Sequence, residues 1–229
     1  MKHIGIVGVS SEGAALCYQT IVHAAYKKLG GCRHPRICMD HQSLQEYVDR
    51  SDKRDWDGVA QLLIDSVQTV ARMGADFGII PANSVHYAFD QVRSESPIPL
   101  LSIVEVAADE CQVRGYKKVA VLGVKVTMSD GLYKKPLEDR GIIMAVPSIE
   151  DQNTVDKVIH NNILPGKVTV ESVKKMVDII TRIKKAGCDA VILGCTEIPL
   201  IIDENNSSLP TIDTTRLLAR KALEHALNG

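Results

Sequence analysis

The sequence predicts an α/β fold: two pseudo-symmetric, doubly wound α/β halves with mainly parallel sheets and an active site in the cleft between them. Three observations carry this expectation. Short apolar runs alternate with longer segments of helical period along the chain, which is the pattern of βαβ units. The segment Gly74-Ala75-Asp76-Phe77-Gly78-Ile79-Ile80-Pro81-Ala82-Asn83-Ser84 lines up without gaps on Gly187-Cys188-Asp189-Ala190-Val191-Ile192-Leu193-Gly194-Cys195-Thr196-Glu197, so the chain contains an internal repeat. Gly5-Ile6-Val7-Gly8 likewise matches Ala120-Val121-Leu122-Gly123, each an apolar run entering a glycine turn.

The elements follow in order. Ile4 to Val7 reads as a buried strand, and Ala14, Leu16, Tyr18, Ile21, Val22, Ala25 and Leu29 continue as a helix closed by Gly30-Gly31. Ile37 to Met39 is a second strand. Trp56, Val59, Leu62, Leu63, Val67 and Val70 recur at helical spacing up to Met73, and Gly74 ends that helix before a strand at Phe77 to Ile80. Pro97 and Pro99 mark a boundary. The second half restarts at Lys117-Lys118 with a strand at Val119 to Leu122, then a turn and a helix holding Leu132, Tyr133 and Leu137. Two further helices follow, one carrying Val170, Val173, Met176, Val177, Ile180 and Ile183. It ends at Gly187 before a strand at Ala190 to Leu193, and Asp213 is expected to cap a final helix.

Composition narrows the function classes. The 229 residues are 45% hydrophobic, enough for a sizeable core, and Lys+Arg 27 against Asp+Glu 28 leaves a net charge of -1. No global field would hold a polyanion or an anionic membrane surface, so neither nucleic acid nor membrane is an expected partner. The opening MKHIGIVGVSSEG lacks an unbroken apolar region, and no apolar run approaches the roughly 18 residues of a span, so a cytoplasmic location is expected. The six cysteines are dilute and none form CxxC; reduced thiols are expected. Cys32, His34, Cys38 and His41 share one stretch, but their spacing matches no common zinc framework and no metal is expected.

The chemistry is expected where strands end in polar turns, because ligands of open parallel sheets collect outside the carboxyl ends of the strands. These turns begin at Gly8, Ala82, Gly123 and Cys195. Gly8 to Gly13 has the glycine spacing of a phosphate loop, but Ala14-Ala15 replaces the lysine and hydroxyl residue, leaving a turn suited to a small anion such as a carboxylate. Cys195 is the sharpest candidate. A thiol there can serve as a base if amide donors or a nearby positive charge lower its pKa from about 8.5 toward the working pH. The alternative is an inert buried cysteine.

These residues resemble the cofactor-independent aspartate/glutamate racemase superfamily, which also contains hydantoin racemases, maleate isomerases and arylmalonate decarboxylases. Gly194-Cys195-Thr196-Glu197-Ile198-Pro199 is similar to the family's second catalytic motif, and Pro81-Ala82-Asn83-Ser84-Val85-His86 to the first, usually written with Cys-Asn-Thr. Leu122 to Met128, with Tyr133, is similar to its third loop, and Ile212-Asp213-Thr214-Thr215 to its closing segment. The first turn, normally close to Gly-Gly-Met, is here Gly8-Val9-Ser10. The resemblance implies a homodimer of two-domain chains. The first domain would hold residues 1–98 plus 211–229 and the second 99–210, with the C-terminal helix returning to the first. It further implies two cysteines flanking a substrate Cα from opposite faces, with no pyridoxal cofactor and no metal.

The sequence breaks that pattern at Ala82, where both the internal repeat and the family motif require the first cysteine. Another group can serve that face, with Ser84, Ser10 and His86 as candidates; His86 could instead orient the turn or lie at the surface. Alternatively the reaction needs one cysteine, as in a decarboxylase or isomerase of small carboxylic acids, or the alanine was introduced to trap a ligand, or the chain binds amino acids without turnover. Substrate-binding candidates are Ser10, Asn83, Ser84, Thr127, Thr196 and Glu197, with Lys125 and Lys167 as cations from loops that resemble substrate loops. Glu197 would repel a carboxylate and is better cast as binding a substrate ammonium or fixing the Cys195 turn. The expected activity is racemisation of aspartate, glutamate or a related acidic amino acid by Cα proton transfer.

Overall fold

A computed structural model describes residues 1–228. The chain divides into two compact units, Met1–Val106 with Thr215–Gly229, and Ala107–Thr214. Each is built on a four-stranded parallel sheet with flanking helices.

The first unit runs β1 (Ile4–Gly8), α1 (Ser11–Leu29), β2 (Ile37–His41), α2 (Leu44–Ser51), α3 (Trp56–Arg72), β3 (Phe77–Ile79), a 3-10 turn at Ser84–Ala88, α4 (Phe89–Glu95), β4 (Leu100–Leu101) and the start of α5 (Ile103–Val113). The sheet order is β2-β1-β3-β4. Every residue of β1 and β3 is buried, as expected of central parallel strands covered on both faces. Val59, Leu63, Val67 and Val70 of α3 form one buried stripe in the same core as Val7, Ile80 and Val85.

The second unit repeats the plan with β5 (Lys118–Leu122), α6 (Lys125–Ser129), α7 (Lys134–Glu138), β6 (Ile143–Ala145), α8 (Ile149–Val158) continued by a π-turn at Ile159–Ile163, α9 (Val170–Lys185), β7 (Ala190–Leu193), a 3-10 turn at Ile198–Leu200 and β8 (Thr211–Asp213). Its order is β6-β5-β7-β8. Met176, Ile179, Ile180 and Ile183 of α9 join Ala120, Leu122, Val191 and Leu193 in its core. The last helix, α10 (Thr214–Leu227), returns to the first unit, where the Lys2 N–H donates to the Ala226 carbonyl at 2.9 Å and Phe77 meets His225 edge-on.

The internal repeat has a physical basis at each position. Gly74 and Gly187 stand at φ +89° and +83°, a left-handed conformation that ends the preceding helix and is nearly free of strain only in glycine. Two residues on, the Asp76 carboxylate accepts the His3 N–H at 2.6 Å, and Asp189 accepts Lys118 N–H at 2.9 Å, each holding the third strand against the first. The registers also agree under the repeat alignment: Ile4 pairs with Phe77 where Val119 pairs with Ala190. The Pro99 carbonyl accepts from Gly78 N–H as Pro210 does from Val191.

The expected boundaries at 98/99 and 210/211 move. Leu100–Leu101 pairs with β3 in the first sheet and Thr211–Asp213 with β7 in the second, so both crossings fall after the fourth strand. The helix expected to hold Leu132, Tyr133 and Leu137 is shorter: α7 begins only at Lys134, and the expected turn before it carries a short helix of its own, α6, with Gly131 at φ +75° between the two. Asp213 closes β8, at the place matching Ser102, whose hydroxyl accepts the Glu105 N–H in the first turn of α5.

Candidate active site

In each unit the chain leaves the first strand in one direction and returns on its other side, so the strand order reverses between β1 and β3 and between β5 and β7. Ligands of open α/β sheets bind at the carboxyl ends of strands at such a reversal. The turns beginning at Ala82 and Cys195 follow β3 and β7, each at the same distance beyond the equivalent residues Ile79 and Ile192, and those beginning at Gly8 and Gly123 lie at the ends of β1 and β5.

The Cys195 turn is the more elaborate. Gly194 N–H donates to the Leu122 carbonyl at 2.6 Å, and a Cβ at Gly123 would lie 2.7 Å from the Gly194 carbonyl and 3.1 Å from the Thr127 side chain, so two glycines let three segments close up beside the cysteine. The Cys195 carbonyl accepts from Ile198 N–H, starting the 3-10 turn that carries Pro199. The Cys195 Sγ is buried and donates to Glu197 Oε2 at 2.9 Å, while Thr196 Oγ1 donates to Glu197 Oε1 at 3.0 Å. Burial first, and then the Glu197 charge and hydrogen bond, push the Cys195 thiol well above its ordinary range; Asp156 of α8 adds to this. The expected lowering of this pKa by amide donors or a cation is therefore corrected. One backbone contact acts that way, and the stronger influences oppose it.

Thr127 packs beside this turn with no exposed surface, and its Oγ1 has no hydrogen-bond partner. A buried hydroxyl left unsatisfied is costly and marks a place where a ligand or water is wanted. Tyr133 is also fully buried. Lys125 and Lys167 are both exposed, and Lys125 uses its backbone N–H to donate to Asp156 Oδ1 at 2.7 Å.

In the first unit Ala82, Asn83 and His86 are buried and Ser84 half-buried on one turn. A carbonyl can only accept, so His86 Nδ1 donates to the Ala82 carbonyl at 2.8 Å, and Nε2 accepts the Ile103 N–H at 3.4 Å at the start of α5. The ring stacks on Phe89 with centroids 4.7 Å apart, and Arg93 lies over the Phe89 ring. Burial pushes its pKa down to about 4. A neutral imidazole with both nitrogens engaged is placed to orient the Ala82 turn, and its burial overturns the expected alternative of a surface position for His86. Ser10 caps α1, its Oγ accepting from Gly13 N–H at 3.2 Å, so one amide of the expected anion turn is already spoken for.

Among the described residues, no three His, Cys, Asp or Glu side chains converge as metal ligands; Cys38 Sγ donates to the Val70 carbonyl and Cys32 is exposed. No helix among them is long and apolar enough to cross a membrane. Asp156 is a charged group acting on Cys195 that sequence reasoning missed, since 39 positions separate the two and no motif links them.

The family model for Asp/Glu/Hydantoin racemase matches residues 6–222. The chain belongs to that family. Membership places it among the racemases, a class of isomerases, at the level of the family. A broad specificity amino-acid racemase, RacX of Bacillus subtilis, is 25% identical over 177 residues, which cover 77% of this chain and 75% of RacX. An Asp/Glu racemase candidate from Yersinia pestis superposes with a TM-score of 0.90 at 29% identity, over 99% of this chain and 100% of that one. An aspartate racemase homologue from Pyrococcus horikoshii OT3 does so with a TM-score of 0.86 at 30% identity and the same coverage.

Proposed function

We propose that this racemase-family chain interconverts the enantiomers of an acidic amino acid, aspartate, glutamate or a near relative, by Cα proton transfer without a cofactor. The observation that carries the reading is the buried Cys195 thiol at the reversal point of its sheet, hydrogen-bonded to Glu197 beside the unsatisfied Thr127 hydroxyl. Cys195 is one acid/base. In the donor direction its Sγ–H proton passes to a substrate carbanion; in the reverse direction the sulfur takes the Cα proton and the electron pair stays on the substrate. Thr127 offers a neutral donor to a substrate carboxylate. RacX and the Pyrococcus horikoshii relative support amino-acid chemistry, aspartate among it. The working form is a homodimer in the cytoplasm.

Ala82 stands where the second thiol belongs and carries no proton. With His86 engaged at both nitrogens, Ser84 is the remaining group on that turn for the opposite face. The same observation favours a second reading, in which a carbanion made by losing carbon dioxide is protonated by Cys195 alone.

The test is α-proton exchange in deuterated water, followed by NMR with each enantiomer of aspartate and glutamate, on this chain, Cys195→Ala and Ala82→Cys. Exchange with inversion that Cys195→Ala abolishes supports the racemase. Exchange appearing only in Ala82→Cys identifies a racemase short of one thiol. Silence in all three, with carbon dioxide released from a substituted malonate, would replace it with the decarboxylase.

A further inference from the structure

The helix that carries Thr127 is too short to hold itself in place. α6 has five residues, and its first turn closes loosely, with the Met128 nitrogen 3.3 Å from the Val124 carbonyl; helices of that length are not stable alone. The first N–H groups of any helix lack partners within it, and the residue before α6 is Val124, whose side chain cannot cap them. The cap comes from another helix. Lys125 N–H donates to Asp156 Oδ1 at 2.7 Å across 31 positions, and a carboxylate suits a helix start because the bond is short and the peptide dipoles point their positive end at it. α8 holds Asp156 firmly, since Val155 and Val158 to either side are buried in the same core as Met128. It then runs into the π-turn, whose Ile159 and Ile163 share that core with Cys195 and Ile198. One stretch of chain therefore braces both α6 and the Cys195 turn, and π-turns recur at functional sites.

We propose that Asp156 is a positioning residue: by capping α6 from α8 it fixes Thr127 beside the Cys195 turn, so that the Thr127 hydroxyl is kept open for a substrate carboxylate. The proposal rests on the racemase reading for the identity of that carboxylate and adds the device that holds its donor. Thr127 turns its Cγ2 methyl toward Gly123 and Gly194, and its Oγ1 is buried with no hydrogen-bond partner. An unsatisfied buried hydroxyl is an arrangement that a free helix would relax, by sliding until the oxygen found a carbonyl or water. The bond from Lys125 to Asp156 opposes that sliding at one end of α6, and the burial of Met128 opposes it at the other. A donor held ready in this way need not be ordered when substrate arrives, which is worth affinity. Asp156 acts only through Lys125 N–H and α6.

The experiment has one arm that reads Thr127 without turnover and one that reads kinetics, both on the full chain. In the first, threonine methyls are labelled with carbon-13 and the Thr127 signal is assigned from Thr127→Val. It should shift in Asp156→Ala and return toward the parent position in Asp156→Asn, which keeps an acceptor oxygen. Lys125→Pro deletes the donor and leaves Asp156 intact; proline is favoured at the first position of a helix, and Val124 at φ -62° and ψ 158° already has the extended conformation that precedes it. Compared with Lys125→Ala, which loses the same side chain but retains the N–H, it should move the Thr127 methyl as Asp156→Ala does. Circular dichroism establishes that each variant is folded. In the second arm, α-proton exchange of aspartate in Asp156→Ala should show KM raised at least about tenfold with kcat within about threefold of the parent, the pattern of a lost contact made equally before and during reaction. Asp156→Asn should recover most of that KM. Adding Asp156→Ala to Thr127→Val should raise KM no more than about twofold further, because one acts through the other. A Thr127 methyl unmoved in folded Asp156→Ala and Lys125→Pro, or KM effects that multiply in the double variant, would overturn the proposal. A methyl that moves and is restored, with no exchange of any amino acid, keeps the positioning role and removes the racemase; exchange with an unmoved methyl does the reverse.

Discussion

His86 gives the structure a measurable acid weakness. Its folded pKa near 4 lies below the ordinary 6.5, so the unfolded chain takes up a proton first as the pH falls. The stability this group contributes is complete above the unfolded value, declines as the pH drops through 6.5, and has gone once the folded value is passed. The cause is structural: burial keeps water from the charged ring, and a proton on Nε2 would also displace the Ile103 N–H from the nitrogen that accepts it. A shift of this size is worth about 2 kcal/mol at about pH 5 and about 3 kcal/mol at about pH 4. His86→Asn keeps a donor for the Ala82 carbonyl and cannot titrate. It should be less stable than the parent at neutral pH, through lost packing on Phe89, and the gap should close by those amounts on acidification. Trp56 is the chain's single tryptophan and lies in the same unit, 4.8 Å from Tyr87, so urea unfolding followed by its fluorescence reports on this region. A gap constant to within about 0.5 kcal/mol between about pH 7.5 and pH 4 would refute the neutral, doubly engaged imidazole.

Gly123→Ala should destabilise the second unit by about 1–3 kcal/mol, because the new methyl meets the Gly194 backbone carbonyl; thermal denaturation checks it, and α-proton exchange should fall further than stability does as the Cys195 turn is displaced. Thr169→Ala removes the capping box in which Thr169 and Ser172 satisfy each other's amides at the start of α9, and should cost about 1 kcal/mol by urea titration. Asp189→Asn should flatten the acid limb of stability below about pH 4, since N–H groups of Lys117 and Lys118 hold the Asp189 carboxyl below its ordinary range and its contribution fades as protons are added; parallel pH titrations of unfolding for parent and variant decide it.

The elements most readable in the sequence were those buried on both faces or along a dense stripe. β1, β5 and β7 are continuous apolar runs, and α3 and α9 present regular stripes. Elements with little buried surface were missed: α2 buries Tyr47 alone, β4 has two half-exposed residues, and Ile143 in β6 points largely to solvent. The stripe of Ile103, Val104, Ala107, Ala108 and Cys111 in α5 is regular, yet the preceding proline pair reads as a boundary and conceals it; Pro99 in fact leads into a strand. At the site, the position of Cys195 was legible because a strand end is a local pattern. The sign of its electrostatics was not. Whether Glu197 faces a substrate or turns back on the thiol depends on side-chain torsions that spacing does not encode, and Asp156 enters only through the packing of α8. His86 needed a partner 17 positions away, the Ile103 amide, before its neutrality could be known.

Helix α10 belongs to the first unit although the whole of the second unit lies between them in the chain. On the ribosome, residues 107–214 form a continuous stretch with its own sheet and core and have every partner they need once synthesised. The first unit must wait for Ala226 and His225 to reach Lys2 and Phe77. The order of folding should therefore invert the order of translation, with the Cys195 turn assembled while the Ala82 turn still sits in an incomplete scaffold. Chains truncated just before α10 and released should already protect β5 and β7 from proteolysis while β1 and β3 remain cleavable.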